Sequence, residues 1–180
     1  TSPERLPKFL SNLRAMNLDE VDGLILSLPE KFGRNGKSYD LPEELKLNPK
    51  IHILRSVVDE GPAMKLLQAA DWLRVNSPQA VVITLDDDVA YGRSMVPAYV
   101  EALSHFHGVI ASRGQPLSFF KIDSSSIPNV QSNIGKPFQF PIEGMFAREV
   151  EIVEGFGSIA YPVSLVDTAL IREFLAASPE

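Results

Sequence analysis

Val81-Val82-Ile83-Thr84-Leu85-Asp86-Asp87-Asp88 is the stretch on which the fold turns. Its first five residues are apolar or β-branched, the composition of a strand buried on both faces, and so of a parallel sheet covered by helices. The three aspartates stand at the carboxyl end of that strand, the edge at which open α/β sheets bind ligands. Adjacent carboxylates repel one another unless a cation offsets them. Hard oxygen donors in this position suit a divalent metal with a phosphate as its other ligand. The competing explanation is a solvated acidic turn. The apolar run before the triplet, and Tyr91-Gly92 with a helical pattern after it, weigh toward a site.

Working outward, Ser2-Pro3-Glu4 carries the signals of a helix start, and Leu6, Phe9, Leu10, Leu13 and Met16 follow at helical spacing. Residues 21–28 predict a strand ended by Pro29, residues 31–47 a loop with at most a short helix, and residues 51–54 a second strand. Gly61-Pro62 opens a helix with Met64, Leu67, Ala70 and Leu73 on one face, and Asn76-Ser77-Pro78 stops it. Ser94 is placed to cap a helix whose buried stripe is Met95, Val96, Tyr99, Val100 and Leu103, and residues 109–112 predict a fourth strand. Strands alternating with helices predict βαβ units. Residues 113–148 break the pattern. They are rich in Gly and Pro, yet hold Phe119, Phe120, Phe138, Phe140 and Phe146, so a region folded onto the sheet is expected rather than a linker. Residues 150–153 alternate as a strand. Ser164 with Asp167 resembles a capping box opening a last helix that carries Leu165, Ala169, Leu170, Phe174 and Leu175.

Composition narrows the classes. The chain has 180 residues, 44% hydrophobic and 22% charged, which is enough for a domain with a real core and excludes disordered and coiled-coil classes. A net charge of -6 argues against nucleic acid as the main partner. The absence of cysteine removes disulfide, thiolate and zinc–thiolate chemistry. It also fits a reducing compartment, so a cytoplasmic location is expected. No apolar run approaches the roughly 20 residues that span a bilayer, so no membrane span is expected in this chain. The opening Thr1-Ser2-Pro3, without methionine, suits a processed or fragmentary chain.

Besides the triplet, three sets of residues have chemical potential. Along a strand end side chains alternate, so Asp86 and Asp88 share a side and Asp87 points away, where it can orient the loop. Asp59-Glu60-Gly61-Pro62-Ala63-Met64-Lys65 runs from a strand into a helix start, where backbone N–H groups favour anions and Lys65 is placed to reach a diphosphate. An ordinary strand-to-helix turn explains it equally well. Glu154-Gly155-Phe156-Gly157-Ser158 reads as a substrate-facing turn or as a bulge. His52 reads as a structural histidine, and His105 and His107 as residues of a helix end. Gly33-Arg34-Asn35-Gly36-Lys37-Ser38 lacks the spacing of a phosphate loop.

In this order the segments resemble nucleotide-sugar-dependent glycosyltransferases of the GT-A fold, in particular the family 2 type. Asp86-Asp87-Asp88 after residues 81–85 resembles the DxD metal motif of that superfamily. Thr1–Leu6 is similar to the end of its first nucleotide-binding strand and the start of the next helix. Residues 59–66 are similar to the DxGPxxK stretch of a bacterial branch, and Glu154-Gly155-Phe156-Gly157 with Tyr161 to the EGxG…Y segment of that branch. The resemblance implies an α/β, Rossmann-like, GT-A-like fold with a mixed, mainly parallel sheet flanked by helices. It implies one domain over residues 1–180, with 1–112 binding the nucleotide sugar and 113–180 facing the acceptor.

It further implies transfer of a sugar from a UDP- or GDP-type nucleoside diphosphate donor to a bacterial-type glycan or small acceptor, with Mn²⁺ or Mg²⁺ and with inversion. Asp88 and Asp86 would be metal ligands, Asp86 sharing the metal or contacting the ribose. Asp59, Lys65 and Asp87 would lie on the donor side, and Gly155, Gly157 and Tyr161 on the acceptor side. The first core strand expected before Thr1, and the acidic base motif expected after the last helix, do not occur in the 180 residues. Both ends are therefore expected to be truncated, and Glu154 is the substitute candidate for the base. Two other readings stay open: a sugar-phosphate nucleotidyltransferase, and a non-catalytic domain that binds nucleotide or glycan.

Overall fold

The computed structural model describes residues 3–115, 138–139, 148–150, 152–153, 155 and 157–177. A 3-10 turn at Pro3–Arg5 leads into α1 (Leu6–Ala15), then β1 (Leu24–Pro29), α2 (Glu43–Leu47) and β2 (Ile51–Ser56). α3 (Met64–Asn76), β3 (Val81–Thr84) and α4 (Met95–His105) follow. The remainder is β4 (Ile110–Ala111), β5 (Gly114–Gln115), β6 (Phe138–Gln139), β7 (Arg148–Glu149), β8 (Ile152–Val153), β9 (Ile159–Pro162) and α5 (Thr168–Ala177). The chain divides into two compact units, each built from separate stretches of sequence: Thr1–Pro7, Val21–Val82 and Pro162–Glu180 in one, Lys8–Glu20 and Ile83–Tyr161 in the other.

In the first unit β1 and β2 run parallel, from Leu24 opposite Ile51 to Pro29 opposite Ser56. α3 packs on β1, and Leu26, Leu28, Met64, Leu67 and Ala70 are buried. Removing these side chains from water is the main local source of stability, about 1.5–3 kcal/mol for each fully buried aliphatic side chain. A polar cluster ties α3 to α5. Arg172 donates from Nε to Glu60 Oε1 at 2.5 Å and from Nη1 to Asp71 Oδ2 at 2.7 Å. Thr168 Oγ1 donates to Asp71 Oδ1 at 2.6 Å, and Arg74 Nη2 donates to the Val166 carbonyl. Burial pulls the Asp71 carboxyl upward. The hydrogen bonds from Thr168 and Arg172, with the charges of Arg172 and Arg74, outweigh it and hold its pKa below the ordinary value.

In the second unit α4 covers a short-stranded sheet. The strand order is β3-β9-β4-β6-β7; β4 pairs parallel with β6, and antiparallel pairs join β4 to β9 and β6 to β7. β5 pairs antiparallel with β8 as a separate ribbon. Ile110 and Ala160 pack with Tyr99 and Ala102 of α4, with Ile83, Met95 and Leu103 around them. Val109, Ala111 and Ile159 form a second cluster with Val153 and Tyr161. Successive residues of β4 and β9 thus enter alternate clusters, as the two-residue period of a strand requires.

Several sequence expectations change here. The sheet is mixed, with one parallel two-stranded sheet and a largely antiparallel second one, not mainly parallel. The sequence predicts a strand over residues 81–85 buried on both faces; β3 covers Val81–Thr84 and ends the strand order, with Val81 exposed and only Thr84 fully buried. β-Branched composition suits an edge strand as well as a central one, so composition could not separate the two. On α4 the buried residues are Val96, Tyr99 and Ala102, while Val100 faces solvent. Asp167, not Ser164, caps α5: its Oδ1 accepts the Leu170 N–H at 2.9 Å. Leu170, Phe174 and Leu175 of α5 are exposed. The Ser2 cap and the aromatics Phe119, Phe120, Phe140 and Phe146 lie outside the described residues, as does the side chain of Phe138.

Gly114 marks the closest backbone approach. A Cβ there would stand 2.5 Å from Val150 Cγ2 and 2.8 Å from the Ile152 carbonyl oxygen. Because Val150 is buried, it has no room to retreat. Gly114→Ala is expected to lower stability by about 1–3 kcal/mol, read as a drop in urea midpoint; an unchanged midpoint would refute this packing. Asp71 gives a pH prediction. Its folded pKa is lowered, so the unfolded chain takes up its proton first as pH falls. The contribution of Asp71 is complete above the ordinary carboxylate pKa of about 3.9 and is lost as pH falls through the folded value. Asp71→Asn should cost about 1 kcal/mol at neutral pH, discounted for a side chain that is 39% exposed. The gap between variant and wild type should close as acid is added; a gap constant down to pH about 2 would contradict the assignment.

Candidate functional site

The acidic triplet is held by a ring of hydrogen bonds closed across 71 residues of sequence. The Asp86 N–H donates to the Tyr91 hydroxyl at 2.7 Å, and that hydroxyl donates to the Gly157 carbonyl at 2.8 Å. The Gly157 N–H donates back to Asp86 Oδ2 at 2.8 Å. Gly157 has φ +89, the left-handed region that side chains disfavour. A Cβ at this residue would also stand 2.9 Å from Ser112 Oγ. Two segments singled out in the sequence, the aspartates after β3 and the glycine turn before β9, are therefore brought together through Tyr91.

Further bonds brace the turn. Thr84 Oγ1 donates to the Ile159 carbonyl at 3.3 Å. The Tyr99 hydroxyl donates to the Ser158 carbonyl at 2.6 Å, and the Ser158 N–H donates to Ser112 Oγ at 3.3 Å. Burial is the main reason that the phenols of Tyr91, Tyr99 and Tyr161 are each pushed up to about 12. The Asp86 N–H bond works against this rise at Tyr91, while the Asp86 and Asp88 charges add to it. Tyr91 therefore keeps its proton at neutral pH and donates to Gly157 throughout.

The three aspartates differ. Asp86 and Asp87 are partly buried and Asp88 is exposed. Asp86 commits one oxygen to the Gly157 amide, so its carboxylate shapes the loop as well as offering charge. Among the described residues, no group of three or more His, Asp or Glu side chains could by itself hold a metal ion. The donor set nonetheless suits Mg²⁺ or Mn²⁺ in the manner of an ion that arrives with phosphates, held by one or two carboxylates and not by a preformed protein cage. Asp88, exposed and carboxylate-bearing, is the residue best placed to be such a ligand.

The other sequence candidates fall as follows. Asp59 belongs to the first unit, and its carboxylate builds the local turn: Oδ2 accepts the Gly33 N–H at 2.7 Å and Oδ1 the Gly61 N–H at 2.9 Å. Lys65 lies in the first turn of α3 and is partly buried. Gly155 is exposed, and a Cβ there would meet nothing. Tyr161 is partly buried on β9 against Val109, Ala111 and Ile159. Glu154 and Phe156 lie outside the described residues. His52 stacks at 4.6 Å on Trp72, in keeping with a structural role. Sequence reasoning missed Tyr91 and Ser112 as parts of the site. Tyr91 stands close to the aspartates and Ser158 was part of the glycine segment, but the bonds that join these residues cross 46–66 positions and leave no local signal.

No family model, curated protein or solved structure matches the chain.

Tyr91→Phe deletes the bridging hydroxyl and leaves the Asp86 N–H and the Gly157 carbonyl unsatisfied, at an expected cost of about 1–3 kcal/mol. The raised phenol pKa values set the alkaline limb. The folded values near 12 exceed the unfolded value of about 10. Stability is thus full below pH about 10 and is lost as pH rises through about 12. Ultraviolet titration should find delayed ionisation near pH 12 in the wild type, with a smaller amplitude in Tyr91→Phe. Equal amplitudes in the two proteins would contradict the assignment.

Proposed function

We propose that the chain is a glycosyltransferase domain of the GT-A type that uses a nucleoside diphosphate sugar and a divalent metal. The observation that carries this reading is the hydrogen-bonded ring of Asp86, Tyr91 and Gly157, which couples a carboxylate-rich strand end to a glycine turn. In this reading Asp88 is the metal ligand, Asp86 orients the loop and faces the ribose or the metal, and Asp87 shapes the loop on the donor side. Gly155, Gly157 and Tyr161 belong to the acceptor side. The acceptor hydroxyl oxygen would attack the anomeric carbon while its proton passes to a base. The bond from that carbon to the diphosphate would break, and the nucleoside diphosphate would leave with the electron pair. A bound divalent ion supplies neutralisation of the charge that grows on the leaving group. Glu154 remains the proposed base. Among the described residues no helix is long and apolar enough to cross a membrane.

A second reading is favoured by one observation: Asp86 Oδ2 is bonded to a backbone amide, as in a triplet kept for structure in a non-catalytic nucleotide- or glycan-binding domain. Calorimetric titration of UDP and GDP, with Mn²⁺, Mg²⁺ or chelator, addresses both. One nucleotide is expected to bind in the presence of metal and to lose about tenfold or more in affinity with chelator or with Asp88→Ala, about 1.4 kcal/mol or more. Equal binding with and without metal would sink the metal assignment. Turnover of a nucleotide sugar would separate the enzyme from the non-catalytic domain.

A further inference from the structure

The first unit contains an open cleft of about 650 Å³, within the size range of small-molecule sites. Its apolar lining comes from Leu54 of β2, from Val58 just beyond it and from Trp72 of α3. Trp72 is steadied by the His52 ring at 4.6 Å. Its polar lining includes Glu60, Gln68, Asp71 and Arg172. Gln68 Oε1 is buried without a hydrogen-bond partner among the described residues, which is costly for a carbonyl oxygen unless something else satisfies it.

Charge and geometry narrow the ligand. Arg172 is gripped by Glu60 at 2.5 Å and by Asp71 at 2.7 Å, so its guanidinium is already neutralised and offers little to a phosphate. Arg55 also lines the cleft, with its guanidinium 5.8 Å from the centre of the Tyr39 ring. The two arginines balance the two carboxylates, and the lining carries no net charge for an ion of either sign. What remains is a row of oriented donors and acceptors beside an indole and two aliphatic side chains. Carboxylates accept, guanidinium N–H groups donate, and the Gln68 amide does both. A ligand matching this lining is uncharged, presents many hydroxyls and has an apolar face.

We propose that this cleft binds a neutral saccharide unit, with Trp72 against the C–H face of the ring and with Gln68, Glu60, Asp71 and Arg172 reading its hydroxyls. The site needs no nucleotide, no metal and no residue of the second unit, so it stands or falls separately from the glycosyl-transfer reading.

Trp72 is the only tryptophan of the chain, so intrinsic emission reports on the cleft directly. The full chain is titrated with maltose, cellobiose, lactose and N,N′-diacetylchitobiose in chelator and without nucleotide, and the Trp72 indole N–H is followed by NMR in the same samples. At least one disaccharide is expected to give a saturable change in emission and to shift the indole resonance. Gln68→Ala should weaken that binding about fivefold without lowering the unfolding midpoint, because removing a buried oxygen that has no partner relieves a desolvation cost. Silence from both probes with all four sugars overturns the proposal. So does a response to inorganic phosphate or UDP in place of the sugars, or a Gln68→Ala variant that binds as tightly as the wild type.

Discussion

The Tyr91 hydroxyl is the pivot of the candidate site. It accepts from the amide of the first aspartate and donates to the carbonyl of Gly157, and Asp86 closes the ring by accepting the Gly157 amide. A phenol suits this place because it both donates and accepts at the end of a rigid apolar body. Burial keeps it protonated, so the ring does not depend on physiological pH. Once the ring is closed, the position of the triplet is fixed by a residue more than 60 positions away in sequence, and the glycine turn inherits the same constraint.

The ring also bears on how three carboxylates can sit together. Their mutual repulsion is lowered if they face different environments. Asp86 Oδ2 accepts the Gly157 backbone N–H, and Asp88 is exposed. The two residues at alternate positions are therefore unequal, although the sequence writes them identically. Asp86 is tied to the glycine turn, which suits a positioning role.

How much of this was legible depended on the range of the interaction. Helices α3 and α4 were readable because their start and stop signals and periodicity are local, and the α2 helix was anticipated within its loop. The parallel pairing of β1 with β2 agrees with the general expectation of parallel strands, although their connection, read as a loop, did not mark these two as partners. The place of β3 in the sheet was not legible, because Val81–Thr84 has the same composition whether central or at an edge. The doubly packed strands proved to be β4 and β9, whose few residues carry too little pattern to announce it. On α5 Phe174 is 65% exposed, and the helix is tied down by Thr168 and Arg172 through Asp71. Polar anchoring of that kind leaves no periodic trace. The triplet and the glycine turn were visible as motifs, but the tyrosine that joins them was not, since hydrogen bonds over such separations have no spacing rule.

Gly155 and Gly157 show why a motif alone understates a site. In sequence they are equivalent, two glycines flanking an aromatic residue. At Gly155 a Cβ would meet no atom of the described residues. At Gly157 the backbone has φ +89, both its N–H and its carbonyl are engaged, and Ser112 Oγ occupies the space a Cβ would take. Replacement there would strain the backbone and push on Ser112, which in turn accepts the Ser158 amide. The disturbance would pass along the same bonds to Tyr91 and Asp86. The acidic triplet and the glycine turn are thus one mechanical element, and a change at Gly157 that spares every carboxylate should still misplace them.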